Sequence, residues 1–75
     1  MRRGSMKSEL IKSIGYDQQT NQMEVEYRDH GKIFVYFGVP FSTFKALVRA
    51  DSSKIKSAGA EWIRLRSQYK YKQIS

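Results

Sequence analysis

The stretch Gly31-Lys32-Ile33-Phe34-Val35-Tyr36-Phe37-Gly38-Val39-Pro40 decides the fold. A strand with one face on a core and the other in water alternates apolar with polar residues. Here Ile33, Val35 and Phe37 fall on one side while Phe34 and Tyr36 fall on the other, so both faces carry large apolar groups. Gly38 and Pro40 then stop the strand, and proline suits the first turn of a helix, where its missing N–H has no partner to lose.

Working outward, Gln22 to Arg28 alternates strictly. Met23, Val25 and Tyr27 point one way, and Gln22, Glu24, Glu26 and Arg28 the other, which predicts a half-buried strand. Asp29-His30-Gly31 joins it to the quoted stretch as a tight turn, with Gly31 free to take positive φ. Leu10 to Tyr16 reads as an earlier strand, linked through the polar turn Asp17-Gln18-Gln19-Thr20-Asn21. Downstream, Phe41, Phe44, Leu47 and Val48 recur at helical spacing to about Ala50. Asp51 to Lys56 is a polar linker. A second helix runs from about Ser57 to Gln68 with Ala58, Trp62 and Leu65 on one stripe, and Tyr69 to Ile74 alternates again as a short last strand.

The expected class is therefore α+β: an antiparallel three-stranded meander, two helices packed on one face, and a short C-terminal strand. With helices on one face, Ile33, Val35 and Phe37 are expected in the core. Phe34 and Tyr36 then lie on the open face, unless Tyr69 or Tyr71 folds across them to make a second small core.

Seventy-five residues make one domain. The absence of cysteine excludes a disulfide framework, a thiolate metal site and a cysteine nucleophile, and fits a reducing cytosol. No apolar run approaches the roughly 20 residues of a membrane span, so a cytoplasmic monomer away from membranes is expected. Residues 1–5, MRRGS, read as an added leader outside the fold, with residues 6–75 the single domain.

Charge is unevenly shared. The net charge of +7 falls to +5 without Arg2 and Arg3, with −1 on residues 6–40 and +6 on residues 41–75. A basic half on a small domain suits a polyanionic partner or a solvated lysine-rich surface.

Catalysis finds little support. His30 is the lone histidine and sits in a turn, where one imidazole makes neither a metal cage nor a triad. Glu24 and Glu26 sit two apart on the wet side of a strand, as solubility residues do. The glycines form no phosphate-cradling loop with a lysine at the required spacing. No enzyme activity, cofactor or metal is expected.

Two classes of binding remain. The first is nucleic acid, RNA ahead of DNA, with Lys54, Lys56, Arg66, Lys70 and Lys72 on phosphates and Phe34, Tyr36 and Tyr71 stacking on bases. Arg64 and Arg66 stand about 200° apart on a helix and share no stripe, whereas Lys70 and Lys72 share one strand face. Arg66 could instead pair internally with Asp51 or Glu61, and Trp62 is expected in the core. The second class is a protein-docking module, since exposed aromatics beside arginine also suit a protein hot spot.

Ile14-Gly15-Tyr16-Asp17, then Glu24-Val25-Glu26-Tyr27, then Gly31-x-x-Phe34-x-Tyr36-Phe37-x-Val39-Pro40 resembles the KTSC domain. Phe44, Leu47-Val48, Ala50 and Ser57-x-Gly59-x-x-Trp62-x-x-Leu65-Arg66-x-x-Tyr69-x-Tyr71 continue the resemblance, which spans about Ser8 to Ile74. Phe34-Val35-Tyr36 stands where the family has Tyr-x-Tyr, and the linker Ser52 to Lys56 is longer and more basic than the family's. The resemblance implies a small module of bacteria and phages, named for the C-terminus of certain lysyl-tRNA synthetases. Its attachment there implies an RNA partner.

Overall fold

The structure, a computed structural model, describes residues 2–53 and 55–75. One antiparallel sheet runs in chain order through β1 (Arg3–Ser5), β2 (Ile11–Asp17), β3 (Gln22–Tyr27), β4 (Ile33–Tyr36) and β5 (Tyr71–Gln73). Helices α1 (Phe41–Ser52) and α2 (Ala58–Leu65) lie between β4 and β5 in the chain. The α+β class holds. The three-stranded meander is corrected to a five-stranded sheet, four strands of it before the helices.

The extra strand comes from residues expected to lie outside the fold. Arg3, Gly4 and Ser5 pair with Gly15, Ile14 and Ser13. Backbone hydrogen bonding at a sheet edge needs no apolar pattern, so nothing in the side chains of MRRGS announces it. Gly15 makes the approach feasible, because a Cβ there would collide with the Arg2 carbonyl oxygen. Arg3 then reaches across the sheet, pairing with Glu24 and donating to Ser13 Oγ at 3.1 Å, and Ser13 donates to Glu26 at 2.8 Å.

β2 carries a bulge between Ile11 and Ser13, where the register against β3 shifts by one residue. Inserting one extra residue reverses the alternation. Ile11 and Ile14 therefore both reach the core, at 0% and 2% exposed, while Lys12 is exposed.

β4 is the main reversal of expectation. Its register sets Tyr36 opposite Met23 and Phe34 opposite Val25, with Val35 opposite Glu24. Directly opposed residues share a face, so Phe34 and Tyr36 join Met23, Val25 and Tyr27 beneath the helices. Tyr36 is 4% exposed, and Phe37, expected in the core, is 38% exposed. Val35 is buried on the opposite face instead. The strand kept its two sets; only the side facing the helices differs.

Both helices bury their small and apolar residues on that face. Leu47 and Ala50 of α1 join Ala58 and Trp62 of α2, and all four pack in one cluster with Ile14, Met23, Val25, Tyr27 and Tyr36. Burying a side chain of this size contributes about 1.5–3 kcal/mol. Pro40 precedes α1, whose Thr43 N–H bonds the Pro40 carbonyl at 3.0 Å. Ser57 caps α2 by accepting the Ala60 N–H at 3.2 Å, which satisfies one orphan donor. Gly59 lets α2 sit close to the chain before β2, where a Cβ would stand 3.0 Å from Ser8 Oγ and 3.1 Å from Leu10 Cβ.

Turns are set by backbone geometry. His30 and Gly31 both take left-handed φ, 60° and 61°, between β3 and β4, and Gly38 does so at 69° where β4 ends. A non-glycine residue there is uncommon, so the cost falls on His30.

Candidate aromatic pocket

β5 pairs with β4 so that Tyr71 opposes Tyr36 and Gln73 opposes Phe34. That register carries Tyr71 onto the helix side of the sheet. The chain leaves α2 through a 3-10 turn at Arg66–Gln68 before reaching β5. Turn and strand together form one wall of a cavity of about 680 Å³, with β3 and β4 forming the other. Its rings are Tyr27, Phe34, Tyr36, Tyr69 and Tyr71, and its polar groups are Asp29, Lys32, Arg66 and Ser67.

The floor is rigidly held. Trp62, fully buried, meets the Tyr36 ring edge-on at 4.8 Å and lies parallel to Tyr69 at 6.0 Å. Its Nε1–H donates to the Tyr27 hydroxyl at 2.9 Å, and the Tyr27 and Tyr36 hydroxyls share a hydrogen bond of 2.6 Å. Buried hydroxyls cost free energy unless paired, and here each answers another. Burial first, then the hydrogen bond with Tyr27, pushes the Tyr36 hydroxyl pKa far above its ordinary value, so it stays neutral.

Towards solvent the rings are freer. Phe34 is half-buried, 5.6 Å from Tyr27 edge-on and 5.4 Å from Tyr71. Tyr71 is 62% exposed, and its ring lies 5.8 Å from Tyr36. Arg66, half-buried, holds its guanidinium 5.9 Å above the Tyr27 ring. Hydrogen bonding to Tyr27 is the largest influence raising the Arg66 pKa, so it remains a cation. Neither internal partner expected for Arg66 takes it: Glu61 pairs with Arg64, and Asp51 accepts the Lys7 backbone N–H at 2.8 and 3.0 Å.

The structure divides the residues predicted from sequence. Phe34, Tyr71 and Arg66 come together in the pocket. Tyr36 joins them only as floor, so its predicted role on an open sheet face is corrected; Trp62 and Tyr27 seal it. Lys72 opposes Val35 and so faces the side of the sheet away from the helices, where it cannot join Arg66. Lys70 is exposed just before β5. Lys56 lies with Lys7, Ser8 and Asp51 between the helices, at a separate depression. Lys54 lies outside the described residues. The expected cationic cluster is dispersed.

Sequence reasoning missed Tyr27, Asp29 and Lys32 as lining residues, whereas the alternative in which Tyr69 or Tyr71 folds across Phe34 and Tyr36 is met by Tyr71, with Tyr69 beside it in the pocket. Tyr27 was legible as inward-facing, and an inward tyrosine at a strand end often has its ring at the edge of the core. Asp29 and Lys32 flank the β3–β4 turn, which only the position of β5 turns into a rim. Among the described residues no group of three or more His, Asp or Glu could hold a metal ion, and no helix is long and apolar enough to cross a membrane. Chemically, the pocket offers ring faces for a planar group and a fixed cation for an acceptor edge or an anion.

Comparison with known proteins places this architecture. The crystal structure of a KTSC domain protein from Yersinia pestis superimposes with a TM-score of 0.83 at 25% identity, covering 99% of this chain and 97% of that one. An uncharacterized protein of Stutzerimonas stutzeri strain A1501 is 36% identical over 52 residues, 69% of this chain and 72% of its own. The model of the KTSC domain family matches residues 7–58, most of the sheet and all of α1, and on that match the chain belongs to the KTSC domain family.

Proposed function

We propose that the chain is a small non-catalytic module of the cytoplasm that binds single-stranded RNA, taking a base into the aromatic pocket. The observation that carries this reading is the meeting of the Phe34, Tyr69 and Tyr71 rings, Tyr71 the most exposed of them, with the Arg66 guanidinium in one cavity of about 680 Å³. Cavities of roughly 300–1,000 Å³ suit single small ligands, so one nucleotide enters rather than a run of them. Single-stranded RNA is read through unstacked bases laid on aromatic or guanidinium planes, and each stacked base contributes about 1–3 kcal/mol. Because Lys56 and Lys72 stand on other surfaces, few phosphates are engaged and the salt dependence is shallow, about 0.7 in log–log slope for each phosphate contacted.

An amide chemical-shift titration with a short single-stranded RNA at two salt concentrations tests the reading. Shifts centred on Phe34, Arg66, Tyr69 and Tyr71 that persist at the higher salt are expected. Shifts spread over the surface lysines that vanish with salt would leave charge attraction alone and overturn it. Silence towards RNA together with a specific protein partner seated on the same rings would move the module to the protein-docking class.

A further inference from the structure

We infer that the base this pocket selects is guanine. The inference rests on the nucleotide-binding reading above and adds which edge of the base is read. The floor cannot do the reading, because the Tyr27 and Tyr36 hydroxyls and the Trp62 N–H are committed to one another. Discrimination therefore falls to the charged groups of the rim. These are one guanidinium, Arg66, and one carboxylate, Asp29, with Lys32 beside them.

Arg66 and Asp29 line the same cavity, yet no ion pair joins them among the described residues, whose salt bridges are Arg3–Glu24, His30–Asp29 and Arg64–Glu61. A cation and an anion that line one aromatic cavity without pairing offer donors and an acceptor pair to the same guest. Guanine is the base that answers both. Its O6 and N7 accept from a guanidinium, the commonest specific base contact, and its N1–H and N2–H₂ donate to a carboxylate. Adenine offers the guanidinium a donor at N6 and has no N–H pair for the carboxylate. Uracil and cytosine each lack one of the two edges and stack less ring. One Asp29 oxygen lies 2.7 Å from His30 Nδ1, but both side chains are more than three-quarters exposed, at 78% and 76%, so that contact yields to a bound donor. Lys32 remains for the phosphate.

The test titrates GMP, AMP, IMP, UMP and CMP into the isotopically labelled chain, following Phe34 and Tyr71, and repeats GMP and AMP with Asp29→Asn. Asp29 is exposed, so this variant keeps the fold. GMP is expected to bind about tenfold tighter than AMP, at the low end for one bidentate contact because the rim is wet. IMP, lacking the N2 amine, falls between them. Asp29→Asn is expected to weaken GMP several-fold and narrow its lead over AMP, the remaining preference being the one Arg66 supplies through O6 and N7. Equal affinity for GMP and AMP, with shifts at Phe34 and Tyr71, would overturn guanine selection and leave nucleotide binding standing. No shift with any nucleotide would overturn both. A guanine preference undiminished by Asp29→Asn would overturn the readout by that carboxylate.

Discussion

Two aromatic clusters flank this sheet, and only one of them borders the pocket that carries Arg66. At one end, Tyr16, Phe41 and Phe44 pack ring on ring, with centroids 5.4, 5.4 and 6.0 Å apart. The Tyr16 hydroxyl is tied to the Val39 carbonyl, and Lys45 lies 5.6 Å above Phe41. That cluster also has rings and a cation, but none of them lines the pocket. At the other end, Tyr27, Phe34, Tyr36 and Tyr71 are set just as closely, with neighbouring centroids 5.4 to 6.3 Å apart, but they line a cavity walled in by β5 and the Arg66–Gln68 turn. Aromatic content therefore does not make a binding site. What differs is the second wall, which β5 and the Arg66–Gln68 turn supply with Arg66 on it.

The largest effect expected from breaking this contrast is at the shared floor. Trp62→Ala removes a fully buried ring and the donor to Tyr27, and is expected to destabilise the domain by about 3–5 kcal/mol, read by urea denaturation. At that cost the variant sits near its unfolding threshold, and loss of the native transition would be consistent. A well-folded variant with unchanged midpoint would show that the pocket floor is not part of the core.

The comparison itself is sharpened by matched truncations. Tyr71→Ala should weaken binding of a short single-stranded RNA by about tenfold with little loss of stability, because that ring is 62% exposed. Phe41→Ala, at the filled cluster and 40% exposed, should leave RNA affinity unchanged. Equal losses from both would erase the distinction between the clusters.

A smaller effect separates packing from hydrogen bonding. Tyr36→Phe keeps the ring but removes one of the Tyr27 hydroxyl's two partners, leaving it the Trp62 N–H, with an expected cost of about 1–2 kcal/mol. It also carries a pH signature. The Tyr36 pKa is raised above its model-compound value of 10.0 in the folded chain, so its contribution is fully present below about pH 10 and declines as pH rises further, where the unfolded chain ionises first. Denaturation midpoints measured from neutral pH to above pH 10 should fall less steeply for Tyr36→Phe than for the parent.

The smallest effect tests the face assignment. Lys72→Ala should change RNA affinity and stability by less than about 0.5 kcal/mol, since Lys72 is exposed on the side of the sheet away from the pocket. A several-fold loss of affinity measured by fluorescence anisotropy would revive the basic tail as the binding surface.

How much of this was legible can be judged strand by strand. β3 was readable because Met23, Val25 and Tyr27 alternate with charged residues, leaving one choice of face. Trp62 was readable as core from its helical stripe with Ala58. β4 was not, because Phe34 and Tyr36 are as apolar as Ile33 and Val35, and period-two alternation separates the sets without saying which is inside. The Ile11–Ser13 bulge left no sequence mark beyond two isoleucines three residues apart. Of the candidate site, Phe34, Arg66 and Tyr71 were named from sequence, whereas Lys56 and Lys72 were grouped with them by charge alone.

The chain itself determined β2, β3 and β4 with their antiparallel order, the two helices, the last strand, the α+β class and the membership that residues 7–58 carry. Those follow from local periodicity, turn chemistry and motif spacing, which act within a few residues. Which side of β4 met the helices, the pairing of residues 3–5 with β2, and the convergence of Arg66, Asp29 and Tyr71 on one cavity were decided by tertiary structure. Each depends on register between segments far apart in the chain, and register is fixed by the whole core settling at once.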